Sequence, residues 1–576
     1  MKKDMSRIAM WILFVFLWLS IGTLAQAVQY TQAPPLTTVI QTTVGPVINT
    51  GVVQVPLITW GGDLATILAN GNTAQTSRNS IFDQKGLHLE LVRQDDFKNQ
   101  VEAYMRGGTP YLRGTYGMIN MAADVLSRDP RTKPIIIYQH TWSTGGDCVV
   151  VKQGIKTAAD LKGKTIALQA YGPHVYYLSK IIADAGLSLN DIHIKWVKDL
   201  TGSDNTPLEA FYQQDVDAAM MIIPDGLVLT SNGNVGTGSE GSVRGARILL
   251  STKTANRIIS DVYAVRSDYM KSNREEVTKF VHGLMMAAEQ LQQLYKEKES
   301  RMGEFKNMMK GAALILLDSP EAVDDAQALY ADCEYAGYPG NVKFFGDPNY
   351  PRNMATLTTQ IQDAFVNIGL LSKRVSIDHA RFDYNEFKKG LTDTSGVIVP
   401  KFDTGQVAAV VQRKQQQGTL KEGELFSFEV YFQPNQNQFN ADMYMDAFNK
   451  VIELAATYGG AIITIEGHSD PLGYLKAKKQ GQSEIVLRNI KQSAKNLSLS
   501  RANAVRASVI DYATTKGIIL DETQFAVVGH GILKPKSGIC GSDPCAPRTE
   551  QEWRNNMRVE FRIIQVEAET SVFKPL

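Results

Sequence analysis

The chain has 576 residues, more than a single hydrophobic core organises, so at least two domains are expected. An apolar fraction of 44% and a charged fraction of 21% describe an ordinary globular chain. Sixty basic residues against 59 acidic ones leave a net charge of +1, with no basic run, so nothing points to nucleic acid as a partner.

The first 27 residues stand apart. Lys2, Lys3 and Arg7 precede an almost wholly apolar run, Ile8–Leu24, and Ala25-Gln26-Ala27 is an A-x-A cleavage pattern. This reads as a secretory signal. The alternative is an uncleaved anchor in the inner membrane, although 17 apolar residues is short where about 20 span a bilayer. Either way the bulk of the chain is expected outside the cytoplasm. Residues 28–54, rich in Thr, Val, Gln and Pro, read as an extended linker.

From 55 to 400 strand and helix signals alternate. Val55–Trp60, Leu87–Val92, Pro134–Tyr138, Cys148–Val151, Thr165–Leu168, Ile192–Val197 and Ala218–Ile223 read as strands. Phe97–Met105, Thr157–Leu161 and Val175–Ala185 read as helices, the last closed by Gly186. Beyond Asn273 the pattern turns helical, over Val277–Tyr295, Glu304–Leu317 and Pro320–Tyr335. This alternation predicts an α/β domain with a mainly parallel sheet.

Residues 401–424 are polar and read as a second linker, and 425–566 form a new unit before a tail at 567–576. Strands are predicted over Phe426–Phe432, Ala461–Ile465, Phe525–Val528 and Arg558–Ile564. One helix carries Met445, Phe448, Ile452 and Ala455, and another is capped by Ser498 and buries Ala502, Val505, Val509 and Tyr512. The order β-α-β-α-β-β is an α+β sandwich with helices on one sheet face.

Of four cysteines, Cys540 and Cys545 flank only GSDP and suit a local disulfide. The state of Cys148 and Cys333 stays open. His468 and His530, in GHSD and GHG, read as structural loop residues, because no third metal ligand is apparent.

Three pieces of the last unit carry chemistry: Gly467-His468-Ser469-Asp470 after a strand, Leu497–Ala502 (LSLSRA) at a predicted helix start, and Asn556–Glu560 (NMRVE). Asp470 could accept hydrogen bonds from an ammonium group, and Arg501 could grip a carboxylate through two parallel N–H bonds, aided by a helix amino end. A plain Asp–Arg salt bridge fits the same residues. In this order the motifs resemble the OmpA-like peptidoglycan-binding domain over roughly Phe426–Ile564. That resemblance implies recognition of the diaminopimelate side chain of peptidoglycan, with Asp470 as ammonium acceptor, Arg501 as carboxylate clamp and Arg558 in support. The chain departs from the family pattern at Ala494, where an Asn is common, and at Met557, in place of an Arg. Pro471–Lys495 is also longer than usual.

Residues 55–400 resemble periplasmic solute-binding proteins of the nitrate/sulfonate/taurine class. The likeness rests on Phe82–Leu87 (FDQKGL), Asp160–Ala167 (DLKGKTIA), Leu187–Ile192 (LSLNDI) and Asp217-Ala218-Ala219. It implies two α/β lobes that close on a small-molecule solute, delivered to an ABC permease. Open α/β sheets bind ligands at strand carboxyl ends, against helix amino termini. The candidates there are Trp60, Gly61 and Gly62; Thr115 and Tyr116; Ser143, Thr144 and Gly145; Tyr171, Gly172 and His174; and Asp225. Hydroxyls and free N–H groups suit an oxyanion, the aromatics suit a flat or apolar portion, and Asp225 suits an amine. No G-x-S-x-G, H-E-x-x-H or P-loop motif occurs, so neither an enzyme nor a cofactor is expected. The expected protein is a periplasmic, wall-associated solute binder, with a structural or signalling tether that recognises a protein partner as the alternative.

Overall fold

The computed structural model describes residues 28–48, 51–202, 204–394, 402–417, 424–432 and 444–564. The expected signal peptide at 1–27 and the tail at 567–576 lie outside these residues. Among the described residues, no helix is long and apolar enough to cross a membrane.

The chain enters through a short helix, α1 (Leu36–Val39), and then builds a first lobe. Its elements are β1 (Val53–Leu57), α2 (Asp63–Ala69), β2 (Leu89–Arg93), α3 (Phe97–Arg106), β3 (Tyr111–Thr115), α4 (Tyr116–Leu126) and β4 (Pro134–Ser143). Helix α3 begins at an Asp96 cap and stops at Gly107, whose φ of 85° suits a residue without Cβ.

From β4 the chain crosses directly into a second lobe through β5 (Asp147–Val151). This lobe holds β6 (Thr165–Gln169), α5 (His174–Asp184), β7 (His193–Val197), α6 (Pro207–Phe211), β8 (Ala218–Ile222), α7 (Ile223–Leu229) and β9 (Arg247–Ser251). Strand β10 (Ser260–Arg266) returns to the first lobe. There α8 (Arg274–Lys296), α9 (Met302–Leu317), β11 (Cys333–Tyr335), α10 (Met354–Asn367) and β12 (Asp378–His379) complete it.

The main sheets are ordered β11-β4-β10-β3 and β7-β6-β8-β5-β9. Neither is mainly parallel: the first is antiparallel throughout this order, with only β12 added parallel to β4, and the second is mixed. Strands β6, β7 and β8 run parallel, but β5 and β10 enter antiparallel to their neighbours. These are the crossing strands, and a segment that leaves one lobe and returns to it must reverse direction. Two α/β lobes joined by crossing strands form a periplasmic-binding-protein-like fold. The helix expected over Pro320–Tyr335 covers only Val323–Ala331, and its end becomes β11.

The third unit comprises α11 (Thr404–Gln417), β13 (Glu424–Tyr431), α12 (Met445–Thr457), β14 (Ile462–His468), α13 (Glu484–Thr515), β15 (Phe525–Gly531), the two-residue strands β16 (Ile539–Cys540) and β17 (Asp543–Pro544), and β18 (Arg558–Ile564). Its sheet is ordered β13-β18-β14-β15. Side chains alternate across it. Ile463, Ile465, Val559 and Phe561 join α12 and α13 in the main core. Ile462, Ala526, Val528 and Ile564 face the other way, against Val407, Val410 and Val411 of α11. Helices therefore cover both faces. Much of the expected linker at 401–424 is this helix, whose valines at i, i+3 and i+4 have an apolar surface to bury.

The first expected linker is also packed. Leu36 and Ile40 are fully buried. Thr31 bonds the Trp196 carbonyl and Tyr171 Oη donates to Pro34 O, both on the second lobe. Arg128, Met105 and Arg266 hold Thr37 and Gly45 on the first lobe. The segment 28–48 is a strap laid across both lobes.

The third unit is fused to the rest rather than hung from a linker. Residues of α5, α12 and β14 share one continuous core. Lys180 Nζ donates to Asp184 Oδ1 and Glu453 Oε1, at 2.7 and 2.8 Å, and Lys450 Nζ reaches Asp184 Oδ1 at 2.9 Å. Gly460 lies so close to the first unit that a Cβ there would stand 1.7 Å from the Lys253 carbonyl oxygen.

Candidate functional site

Two places bring chemistry together. The first lies where the lobes meet. Trp60 follows β1, and its indole N–H donates to Thr141 Oγ1 at 3.0 Å. Thr141 donates to Asp261, which pairs with the buried Arg113; Arg113 also pairs with Asp63. This network fixes the indole, whose ring lies 2.6 Å from where Gly146 would carry a Cβ. Only glycine fits there.

Behind Gly146, Ser143 Oγ donates to Asp147 Oδ2 at 2.6 Å, and His174 Nε2 lies 2.7 Å from Asp147 Oδ1. Thr252 closes the group against Ser143 at 2.9 Å. At the solvent side stand Lys253, exposed, and Asp332, half-buried. Thr144 N–H bonds the Asp332 carbonyl. Burial, then the nearby Asp147 charge, pushes the Asp332 carboxyl up to about 6, against the pull of Lys253. Trp60, Ser143, Thr144 and His174 are thus brought together, with Asp147, Thr252, Lys253 and Asp332 added.

Other expected residues are committed elsewhere. Thr115 caps α4 through Met118 N–H, and Tyr116 is buried with its hydroxyl on Thr358. A Cβ at Gly61 would strike the Leu329 carbonyl oxygen at 1.9 Å. Tyr171 sits at φ 60°, its hydroxyl held by the strap. Asp225 lies in the first turn of α7, where burial and then Glu209 raise its pKa. Asp332 was invisible in sequence because only the β11–β4 pairing brings it beside Gly145.

The second place is in the third unit. Asp470 follows β14, and its Oδ2 accepts Leu472 N–H at 3.0 Å. Its Oδ1 is buried with no hydrogen-bond partner among the described residues. Burial raises its pKa, against the Leu472 N–H and the nearby Trp553 and Asn556 side chains. Arg501, almost wholly buried, donates to His468 O at 3.2 Å, and its guanidinium lies 5.4 Å from the centre of the Phe432 ring. Burial lowers its pKa to about 10, and the opposing influence is the Asp470 charge. The Asp470 charge thus favours the charged form of Arg501.

Arg501 is not at a helix start. Helix α13 is capped by Ser483 and runs 32 residues, so Arg501 lies in its middle and no helix dipole assists it. No Gly or Pro interrupts 484–515, and Ser498 instead bonds Lys495 O and Gly531 N–H. Arg558 pairs with Glu560 at 2.5 Å and lies 3.5 Å from Glu429.

Cys540 and Cys545 form a disulfide; Cys148 is buried and Cys333 partly buried, and the two are not joined to each other. His468 and His530 lie on β14 and β15 rather than in loops, with Glu466 beside them.

Residues 78–293 match the family model described as NMT1/THI5 like. No curated protein matches the chain. Solved structures similar to it include the periplasmic aliphatic sulphonate binding protein SsuA from Escherichia coli, with TM-score 0.39 and 17% identity over 57% of this chain and 91% of that one. The periplasmic nitrate-binding protein NrtA from Synechocystis PCC 6803 gives 0.39 and 12%, over 59% and 89%. The desulfurization enzyme DSZB gives 0.34 and 16%, over 59% and 99%.

Proposed function

We propose that this is a cell-envelope solute-binding protein of ABC-transporter type, held at peptidoglycan by an OmpA-like third unit. The β-α-β-α-β-β order and the GHSD, LSLSRA and NMRVE motifs support the wall-binding part. The observation that carries it is the half-satisfied Asp470: a buried carboxylate oxygen that completes no hydrogen bond even though the Trp553 and Asn556 side chains lie near it, with its charge felt by a buried guanidinium. An unpaired buried acceptor costs about 1–3 kcal/mol, which an arriving ammonium group would relieve. A zwitterion such as diaminopimelate presents that ammonium beside a carboxylate for Arg501. Co-sedimentation with purified peptidoglycan tests this. Asp470→Ala and Arg501→Ala should each abolish retention, and retention equal to wild type in both variants would end the reading.

The solute part rests on the two-lobed fold, the family match and the Trp60–Asp332–Lys253 mouth. Trp60 offers a flat apolar wall, Lys253 a cation and Asp332 a proton or a negative charge, which together suit a small polar molecule with an apolar part. A second reading, a tether whose two-lobed unit recognises a protein, is favoured by the strap at 28–48, because its bonds to both lobes oppose opening.

A further inference from the structure

On the outer face of the third unit's sheet, Glu466 and His468 project from β14 and His530 from the parallel strand β15. All three are buried, and one ligand atom from each lies within 4.8 Å of the others. His530 Nε2 is 2.7 Å from Glu466 Oε2, and the two imidazoles stack with centres 4.9 Å apart. His468 is 1% exposed, yet neither ring nitrogen has a hydrogen-bond partner among the described residues. Burying both without a partner is costly, and nothing in the wall-binding or solute-binding chemistry uses them.

We infer that Glu466, His468 and His530 form a binding site for a single zinc ion. Two imidazoles and one carboxylate are a donor set for a borderline dication, whereas Ca²⁺ and Mg²⁺ take oxygen donors. Tetrahedral zinc places its ligand atoms roughly 3.3 Å apart, so the 2.7 Å His530–Glu466 edge must open and the edges to His468, at most 4.8 Å, must close by up to roughly 1.5 Å. The His468 ring, held by no hydrogen bond, is the ligand with freedom to turn toward the ion. The surrounding charges permit a cation. Arg562 sits on Glu466 Oε1 at 2.8 Å, Arg558 and Lys534 flank His468, and Glu560 Oε1 lies 3.7 Å from His468 Nε2. Glu560 answers both guanidiniums, and Glu429 answers Arg558 and Lys536. Arg562 already serves as an outer partner on Glu466, and such partners orient ligands toward a metal. Gln415 faces His530 Nδ1 through its amide nitrogen at 3.4 Å, and turning that amide over would let its oxygen accept the Nδ1–H of a ring that ligates through Nε2. The ion would tie β14 to β15 beneath the end of α11, and its fourth position is left to water.

The test uses the full chain with its disulfide intact, stripped by a chelator and returned to zinc in competition with a chromophoric chelator. One zinc per chain is expected, together with a rise in melting temperature. Cobalt(II) in its place should give the visible bands of a four-coordinate ion. His468→Gln, His530→Gln and Glu466→Gln should each weaken zinc by roughly a hundredfold or more, since losing even an outer partner costs 10- to 100-fold. Absence of stoichiometric zinc uptake by the wild-type chain, a purely six-coordinate cobalt spectrum, or undiminished uptake in the histidine variants would each overturn the site. The cobalt spectrum needs no variant, so it decides the matter even where a substitution prevents folding.

Discussion

The Tyr458 hydroxyl donates to Asp184 Oδ2 at 2.8 Å, across the boundary between the two-lobed unit and the third unit. Asp184 ends α5, Tyr458 follows α12, and both are buried. Against burial, which raises it, Lys180 and Lys450 hold the Asp184 carboxyl below its ordinary value. Two sequence-distant modules are therefore one body at this point. Any lobe movement that involves α5 carries the third unit with it.

Removing the acid should be worse than removing the phenol. Asp184→Ala leaves the buried Lys180 with Glu453 alone and is expected to cost about 3–5 kcal/mol. Tyr458→Phe deletes one hydrogen bond and is expected to cost about 1 kcal/mol. Urea denaturation measures both, and the shared core predicts a single transition. A separate early transition for the third unit, or an Asp184→Ala variant as stable as wild type, would show that the junction does not hold the units together.

Asp332 makes stability depend on pH. Its folded pKa, about 6, lies above the unfolded value near 3.9, so the folded state holds the proton more tightly. The stabilisation is therefore complete below about pH 4 and is lost as pH rises through 6. Above that, a half-buried carboxylate opposes folding. Asp332→Asn should flatten the curve between these values and stabilise the protein at pH 7–8 by about 1–2 kcal/mol, discounted for partial exposure. Thermal melts across pH 4–8 check it, and a variant curve parallel to wild type would refute the assignment. Asp261, raised by burial to about 6 in spite of Arg113, remains in both proteins and cancels in the difference.

The strap should be part of the folded unit. Leu36 has no exposed surface and packs in the main core, so Leu36→Ala is expected to cost about 2–5 kcal/mol, as in other buried sites. Amide exchange should show Thr31 and Ile40, whose N–H groups bond Trp196 O and Leu36 O, protected above neighbouring exposed amides. Rapid exchange at both, with an unchanged melting curve for Leu36→Ala, would return the segment to the status of a free linker.

A thermal-shift panel of sulfonates, nitrate, phosphate, amines and thiamine precursors on the full chain separates the two readings of the lobes. A ligand at a hundred times its Kd should stabilise by about 2.7 kcal/mol, and Trp60→Ala should remove the shift. Silence across the panel would favour protein recognition. A shift that survives Trp60→Ala would move the site away from the Trp60 mouth.

Local chemistry made much of the architecture legible. Strand runs such as Cys148–Val151 and stops such as Gly107 and Gly186 act within a few residues of themselves, and the elements stand within a few residues of where the pattern puts them. The same window misled at Ser498. A hydroxyl before an amphipathic stretch looks like a cap, but a helix already running from Glu484 has no reason to restart.

What the sequence determined by itself is the set of segments with a preferred local conformation: the alternating strands and helices of the lobes, the β-α-β-α-β-β order and the Cys540–Cys545 turn. The tertiary structure alone decided how these combine. It made the strap and α11 parts of the folded body, set antiparallel strands into both main sheets, seated Asp332 by Gly145, and brought Glu466 and His468 to His530 from more than sixty residues away. Conformational preference is carried by neighbours along the chain. Burial, charge pairing and convergence depend on which distant surfaces exclude water together.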